Sequence, residues 1–473
     1  MRFANLPLIL PQNGPLALSA NEADVFSVNQ VSSAFGPLKT KLAAGNNANI
    51  FANTDSTGYS EYGPYYKFAV ALGDLYNATV IMHRWAEWGG SSANGPKDYA
   101  APVVIRNGTS QTIDFWLAAL PGQVAGCMFE ASRKPTAIDA IPRPDVAITH
   151  HGHNMSSFET PGNDLAIGRG LFWSIIGLIS WQWKDVPQVI TTQNPWRDNA
   201  GYDKVYNAIL GVASVFPSLT IVDTHKLYID AGKAPILYRT NDVSPVYHPS
   251  DTQGNDEGAR LAAGALMASF RKAKKAAFST VSWMELPIGT NLFINGDLSN
   301  WSGALPVNFS AVSAGSATKD TDPANIHPGA GAAYSAKVKP ADANGHFSSI
   351  SNSFDATERA SMSGKTVTAI MLAKANPLQR VPFTSFVTRA NNGLRTYSGG
   401  ALMWGAASGA GGWMPITYGG IPCDAGNTDA NSSYKFVPAF GASAPPTADV
   451  AWLQRCVIIE GLVPRLGLVR PGA

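Results

Sequence analysis

The sequence predicts a mixed α/β domain followed by an all-β domain. From about residue 46 to residue 275, short apolar strands alternate with longer helical stretches. Such alternation is typical of a parallel sheet covered by helices on both faces. After about residue 291 the chain is rich in Ser, Gly, Asn and Ala, and short alternating segments are separated by turns. This second pattern is typical of a β-sandwich.

The first part of the chain supplies the predicted strands and helices of the α/β domain. Five apolar segments are predicted strands: Asn49–Ala52, Val103–Ile105, Asp145–Thr149, Val186–Thr191 and Leu219–Val222. Apolar residues recur at helical spacing from Tyr202 to Phe216, and Asp256–Ala276 is a second predicted helix with a basic last turn. The apolar stretch from Gly170 to Trp181 is shorter than the roughly 20 residues of a membrane span. It predicts a buried helix and no membrane insertion.

The change in composition near residue 288 predicts three regions. Residues 1–45 are a lead-in or attachment segment, 46–287 form the α/β domain, and 288–473 form the sandwich. Within the sandwich, Thr366–Ala373 and Val381–Thr388 are predicted strands. Aromatic residues here either fill the core or stack on sugar rings. The candidates are Trp404, Trp413 and Tyr418.

Charge and cysteine content exclude several classes of protein. The chain has 35 Lys and Arg against 33 Asp and Glu, a formal net charge of +2. Without a basic surplus or a local basic run, nucleic-acid binding is not expected. The three cysteines are far apart and odd in number, so they predict neither a disulfide framework nor a zinc site. No cofactor is predicted.

Three polar segments follow predicted strands of the α/β domain, where open α/β folds place their sites. In the segment NIFANTDSTGYSEYG, Ser56 lies on a strand-to-helix turn, which exposes its hydroxyl. In DVAITHHGHNMSS, Asn154 follows Gly152 closely enough for its amide to donate to an oxyanion. In the polar loop that leads to the last helix, His248 is a candidate base for Ser56.

The histidines at 150, 151 and 153 do not predict a metal site. Neighbouring strand residues point to opposite faces of a sheet, and no carboxylate is suitably spaced nearby. We therefore predict no metal.

Together these segments resemble the SGNH (GDSL-type) hydrolase family. NTDSTG at residues 53–58 is similar to the nucleophile block, Gly152-His153-Asn154 to the G-x-N block, and His248-Pro249 to the terminal block. The resemblance covers roughly residues 46–275 and implies a flavodoxin-like, three-layer α/β fold. It implies an esterase in which Ser56 is the nucleophile and His248 the base. The oxyanion hole would then consist of the Ser56 N–H, the Asn154 amide and a glycine N–H after the second strand.

The sequence departs from this family's pattern at two positions. Thr54 replaces the glycine before Asp-Ser, and Pro245 replaces the acid three residues before the histidine. Asp242 is then the candidate acid, provided that the loop bulges; otherwise a backbone carbonyl, such as that of Pro245, orients the imidazole. Asp251 is interpreted as a turn or helix-entry residue.

Two further sets of site residues are predicted. Gly108 in VVIRNGTSQT is the predicted glycine donor, with Gln111 as an alternative alignment. Trp85 and Trp88 lie between the first two blocks and are predicted to line the substrate cleft.

The segment after Asn291 resembles galactose-binding-like jelly-roll modules appended to bacteriophage tail proteins, with Asn295-Gly296-Asp297 as a turn and Trp301 as a core aromatic. The two resemblances together imply an esterase that removes acyl groups, above all O-acetyl, from a capsule or lipopolysaccharide. They further imply a tail spike that is located on the virion or outside the cell, with a homotrimer as the expected assembly. Three alternatives stay open: a free-standing bacterial esterase for small or lipidic esters, a non-catalytic glycan-binding protein on a degenerate scaffold, and a purely structural tail component.

Overall fold

The structure is a computed structural model, and a defined set of residues is described below. These are 34–88, 94–129, 132–154, 172, 175–176, 178–179, 182–183, 186–198, 200, 202–213, 219–242, 246–274, 292–296, 298–311, 317–326, 333–339, 350–376, 381–390, 393–399, 414–426, 429–439 and 450–461.

A seven-stranded sheet forms the centre of the α/β part. Its strands are β1 (Ala48–Thr54), β2 (Thr79–Arg84), β3 (Val103–Arg106), β4 (Thr112–Ala119), β5 (Val146–His150), β6 (Gln188–Thr191) and β7 (Thr220–Val222). They lie in the order β3-β2-β4-β1-β5-β6-β7, and all pairs are parallel except β2 with β3. The order β4-β1-β5-β6-β7 is that of a flavodoxin-like sheet. The order in which successive strands are added to the sheet therefore reverses at β1, which is called the switch point. Ligand sites of open α/β sheets lie at the carboxyl ends of the strands at this point.

Helices lie against this sheet. They are α1 (Gly36–Ala43), α2 (Pro64–Tyr76), α3 (Asp203–Ala213), α4 (Thr224–Asp230) and α5 (Glu257–Lys272). Alternate residues of β1 face opposite layers, as strand geometry requires. Ile50 packs in a hydrophobic cluster with residues of α1, α2 and α5, whereas the Phe51 ring lies 5.0 Å from that of Trp183 in a second cluster that includes α3. The α/β part is therefore layered on both sides of the sheet.

Helix α1 corrects the predicted extent of the lead-in segment. Phe35, immediately before α1, is fully buried, and its ring lies 5.9 Å from Phe68 and 5.8 Å from Phe270. Leu38 and Leu42 are buried in the same cluster. Residues 34–42 are therefore part of the α/β core, because Ala34, Phe35, Leu38 and Leu42 are buried in one of its layers. Residues 1–33 lie outside the described residues.

Among the described residues of the second part of the chain, the regular elements are strands, the short helix α6 (Ala356–Met362) and one helical turn at Pro323–Asn325. Its strands are β8 (Trp301–Ser302), β9 (Leu305–Pro306), β10 (Ser310–Ala311), β11 (Ala317–Asp320), β12 (Ser335–Val338), β13 (Ile350–Ser353), β14 (Thr366–Asn376), β15 (Val381–Ala390), β16 (Gly393–Gly399), β17 (Met414–Pro422), β18 (Ser433–Ala439) and β19 (Val450–Glu460). Two antiparallel five-stranded sheets have the orders β10-β13-β18-β15-β16 and β11-β12-β19-β14-β17. The jelly-roll connectivity stays a prediction.

Aromatic rings pack in the core of this β part. The Phe354 ring lies 5.5 Å from that of Phe386, which lies 5.4 Å from that of Tyr434. Tyr418 is also buried and so presents no face to a sugar. The other two candidates for sugar stacking, Trp404 and Trp413, lie outside the described residues. Among the helices that the structure describes, none has the length and apolar character to cross a lipid bilayer.

Candidate active site

Ser56 lies on a tight turn at the carboxyl end of β1. The Asp55 carboxylate shapes this turn by accepting the Thr57 N–H at 2.9 Å, and the Gly58 N–H donates to the Asp55 carbonyl at 3.2 Å. Only glycine fits at position 58, because a Cβ there would come within 2.7 Å of the Thr54 hydroxyl. The turn therefore holds the Ser56 hydroxyl at the switch point of the sheet.

His248 lies between Ser56 and Asp242. Its Nε2 is 3.0 Å from the Ser56 Oγ, and its Nδ1 is 2.9 and 3.0 Å from the two carboxylate oxygens of Asp242. Asp242 also accepts the backbone N–H of His248 at 2.8 Å. With the Nδ1 proton directed at the carboxylate, Nε2 is the acceptor for the serine hydroxyl, which is the arrangement of a nucleophile, base and acid.

Asp242 and Asp251, the two carboxylates near His248 in the sequence, have different partners. Asp251 is buried and forms an ion pair with Arg239 through contacts of 2.6 and 2.7 Å. Pro245, whose carbonyl was the alternative to a carboxylate, lies outside the described residues. Among the predicted partners of His248, Asp242 is the one that the structure brings to the imidazole.

Asn154 lies near the loop that follows β4. Its Nδ2 donates to the Gln123 carbonyl at 3.0 Å, which leaves a second amide proton for another acceptor. Gly152 allows this chain segment to pass close to α3, since a Cβ at 152 would come within 2.8 Å of the Tyr202 ring. The predicted G-x-N segment thus follows β5 and approaches the loop after β4.

The prediction of Gly108 as an oxyanion donor is wrong. Its N–H donates to the Thr79 hydroxyl at 3.1 Å, at the beginning of β2. The alternative, Gln111, donates to the Leu42 carbonyl and directly precedes the amino end of β4. Because β4 runs parallel to β1, both residues lie at the opposite edge of the sheet from Ser56, roughly 20 Å away at about 3.3 Å per strand residue.

The pairing of β3 explains why Gly108 lies far from Ser56. The sequence pattern predicts a strand at 103–105, but the structure places it antiparallel to β2 at the edge of the sheet, and the parallel neighbours of β1 are β4 and β5. The glycine that follows β4 is Gly122, in a left-handed conformation with φ of 73°. Within the described chain, neither the Gly122 N–H nor the Ser56 N–H has a hydrogen-bond acceptor. A Pro-Gly turn after the alternating segment Thr112–Ala119 was the sequence signal for this position.

The two tryptophans predicted to line the cleft differ in exposure. Trp85 is fully buried, and its Nε1 donates to Glu87 at 3.2 Å. It is part of the core, so the prediction that it contacts substrate is wrong. Trp88 is 57% exposed, and the loop that carries it is anchored by the buried ion pair of Glu87 with Arg133 at 2.6 Å. A substrate contact by Trp88 stays a prediction.

The three clustered histidines each have a partner within the protein. His150 lies 2.9 Å from the Thr57 hydroxyl, His151 lies 3.2 Å from the Asn53 side chain, and Trp196 donates to His153 at 2.9 Å. Burial lowers the pKa of His150 and of His151 to about 3 each. In the part of the chain that the structure describes, no group of three or more His, Cys, Asp or Glu could hold a metal ion.

The structure adds three residues that the sequence did not indicate. The Tyr247 ring lies 4.4 Å from that of His248, and the ring of Trp196 lies 6.4 Å from that of Tyr247. Both aromatic rings are partly exposed, so they offer a surface beside the imidazole. Gln193 is buried and contacts Asp55, which precedes Ser56, and the backbone of His153, which precedes Asn154. The sequence signals for Trp196 and Tyr247 were weak: Trp196 follows a predicted strand, and Tyr247 directly precedes His248.

Fold and site together define an α/β protein with a hydrogen-bonded Ser–His–Asp series at the carboxyl edge of a largely parallel sheet. No protein-family model and no curated protein sequence matches the chain.

Several solved structures are similar to the chain. A two-domain esterase active on acetylated mannans has 13% identity over 92% of this chain and 98% of its own, with a TM-score of 0.35. A carbohydrate esterase family 3 protein from Talaromyces cellulolyticus has 15% identity over 46% of this chain and 94% of its own, with a TM-score of 0.31. The enzymatically active domain of bacteriophage CBA120 tailspike protein 4 has 13% identity over 37% of this chain, with a TM-score of 0.23. The chain spans 21% of the length of that tailspike chain. At these values the similarities do not assign the chain to a family.

Proposed function

We propose that this protein is a serine-dependent carboxylic ester hydrolase. The observation that carries the proposal is the series of contacts from the Ser56 Oγ to His248 at 3.0 Å and from His248 to Asp242 at 2.9 Å. The two departures from the SGNH pattern do not oppose it. Thr54 is accommodated as the last residue of β1, and Asp242 reaches the imidazole despite the changed spacing.

In the proposed mechanism, the Nε2 of His248 accepts the Ser56 proton while the Oγ attacks the ester carbonyl. Asp242 orients the imidazole and stabilises its protonated form. The carbonyl oxygen becomes an oxyanion, for which the Ser56 N–H, the Gly122 N–H and the Asn154 amide are the proposed donors.

The rest of the cycle returns Ser56 to its starting state. The tetrahedral intermediate collapses, the bond from the carbonyl carbon to the alcohol oxygen breaks, and His248 donates its proton to the departing alcohol. Water then attacks the acyl-enzyme with His248 again as the base, which releases the carboxylic acid and the free serine.

The proposed substrate is an O-acetylated polysaccharide of a bacterial surface, and the proposed context is a phage tail spike on the virion or another extracellular protein. The association of the α/β part with a β-sandwich supports this proposal, as does the exposed ring of Trp88 on a loop after β2. The homotrimer implied by the phage resemblance belongs to the same proposal. Two alternatives must be distinguished from this proposal. One is an esterase for small or lipidic esters, and the other is a glycan-binding protein without activity.

Release of nitrophenol from p-nitrophenyl acetate, butyrate and octanoate tests the proposal. We expect turnover that is highest for acetate, falls with chain length, and decreases by about 10⁴-fold or more in Ser56→Ala. Ser60→Ala is the matched control, because this serine lies on the same loop but donates to the Asp251 carbonyl. It should keep turnover within a few-fold of the parent.

The other outcomes separate the alternatives. A preference for octanoate would favour lipidic esters as substrates. Equal background rates in the parent and Ser56→Ala would contradict the hydrolase and favour glycan binding. Once acetate turnover is established, release of acetate from O-acetylated capsule or lipopolysaccharide tests the substrate class directly.

A further inference from the structure

We propose that Gln193 is a positioning residue. It sets the spacing between the turn that carries Ser56 and the segment that carries Asn154. This inference rests on the proposed hydrolase function and names a residue that this function requires beyond the triad and the oxyanion donors. Gln193 follows β6, and its side chain is fully buried.

One amide group connects the two loops of the site. The Nε2 of Gln193 donates to the Asp55 carboxylate and to the Thr57 hydroxyl, each at 2.9 Å. These two residues directly precede and follow Ser56. The Oε1 of Gln193 accepts the backbone N–H of His153 at 2.9 Å, and His153 directly precedes Asn154. The nucleophile and the oxyanion amide therefore lie on either side of a single side chain.

The contacts require both ends of a glutamine amide. Asp55 is buried, and its carboxylate accepts only the groups on this turn and the amide of Gln193 among the described residues. A glutamate at 193 would set a carboxylate against that of Asp55, and an asparagine would be one methylene too short to span both loops.

The backbone at Gln193 supports the same assignment. Its φ is 54°, in the left-handed region that residues other than glycine seldom adopt. Such a conformation persists where the surroundings fix it, and it is enriched at functional sites. Here the side-chain contacts to Asp55, Thr57 and His153 hold the backbone in this state.

A positioning role and a purely structural role predict different kinetics. A displacement of about 1 Å at a reacting centre lowers turnover by about 100-fold. We therefore expect Gln193→Ala to reduce kcat for p-nitrophenyl acetate by about 100-fold, with KM changed less than about threefold. Loss of stability alone would instead reduce the fraction of folded protein and leave kcat per folded molecule unchanged.

A double-mutant cycle with Asn154→Ala tests the coupling. Asn154→Ala alone should cost about 100–1,000-fold in kcat, as for other oxyanion donors. If Gln193 acts by positioning Asn154 against Ser56, the double variant should be at most a few-fold slower than the slower single variant. Multiplied effects would show two independent sites and would overturn the inference.

Gln111→Ala is the matched control. Gln111 is also a buried glutamine whose amide donates to a backbone carbonyl, that of Leu42, but it lies at the opposite edge of the sheet. It should lower the urea midpoint without changing kcat per folded molecule. If Gln193→Ala fails to fold, Gln193→Asn keeps an amide at this position and should show the same loss of kcat.

Turnover of the Gln193 and Ser56 variants tests the role of Gln193 and the hydrolase function separately. Turnover that depends on Ser56 but is unchanged, within about threefold, in folded Gln193→Ala would overturn the role of Gln193 alone. Turnover that is equal in the parent and in Ser56→Ala would remove the hydrolase itself.

Discussion

At the scale of single residues, Asp242 contacts His248 although its spacing along the chain is unusual for a catalytic acid. Asp242 lies six residues before His248, where the SGNH pattern has a carboxylate three residues before. Asp242 nevertheless lies within hydrogen-bond distance of both the Nδ1 and the backbone N–H of His248. A carboxylate held by two contacts is well placed to fix the orientation of the imidazole.

Asp242→Asn tests this role. An asparagine can donate to Nδ1 and so favour the wrong tautomer of His248, which should lower kcat for p-nitrophenyl acetate by about 10⁴-fold with little change in KM. Asp251→Asn is the comparison, because it weakens the ion pair with Arg239 and should reduce stability more than kcat. An Asp242→Asn variant with more than a tenth of the parental kcat would point to a Ser–His dyad.

Residues of the site differ in how far local sequence indicates them. Ser56, Asn154 and His248 lie on turns with recognisable Gly, Asn and Pro neighbours, so local chemistry suggests them. Gln193 has no such signature. Its partners Asp55 and His153 are 138 and 40 residues away along the chain, and only the folded sheet brings them together.

At the scale of elements, the strand pattern was predictable but the pairing was not. The predicted strand at 103–105 exists as β3, yet it pairs antiparallel with β2 at the sheet edge. The two strands that pair with β1 are β4 and β5, and the glycine that follows β4 is Gly122, not Gly108, so Gly122 is the donor that we propose. Apolar alternation identifies a strand but does not identify its neighbour, because neighbours are chosen by packing across the whole sheet.

The helix α1 shows the same limit. Its segment has weak sequence patterning, and the sequence therefore placed it in a lead-in. The structure shows that Phe35 and Leu38 are buried in the layer that also contains α2 and α5. Helices of this kind owe their stability to tertiary contacts more than to local propensity.

At the scale of the whole molecule, buried histidines link stability to pH. Burial lowers the pKa of His150 and His151 to about 3 each, from an ordinary value near 6.5. Between these values the unfolded chain binds protons at both positions while the folded chain does not. These two histidines therefore lower the free energy of unfolding as the pH falls through this window.

Urea unfolding at pH 7, 6 and 5 checks this prediction. Each histidine contributes up to about 1.4 kcal/mol per pH unit below about pH 6.5, so the two together contribute up to about 2.7 kcal/mol per unit. His151→Asn removes one of these groups and should reduce the slope of the free energy of unfolding against pH by up to about 1.4 kcal/mol per unit. A His151→Asn variant whose free energy of unfolding has the same pH dependence as the parent's would show that this imidazole is not buried in the neutral form.

In the proposed mechanism, Ser56 is a nucleophile that is activated by His248. Intact-mass measurement after treatment with diethyl p-nitrophenyl phosphate tests it most directly, because this reagent phosphorylates activated serines. We expect one diethylphosphoryl adduct per chain, mapped to Ser56, with none in Ser56→Ala and much slower labelling in His248→Ala. No adduct on the folded protein, or an adduct on another residue, would contradict the claim.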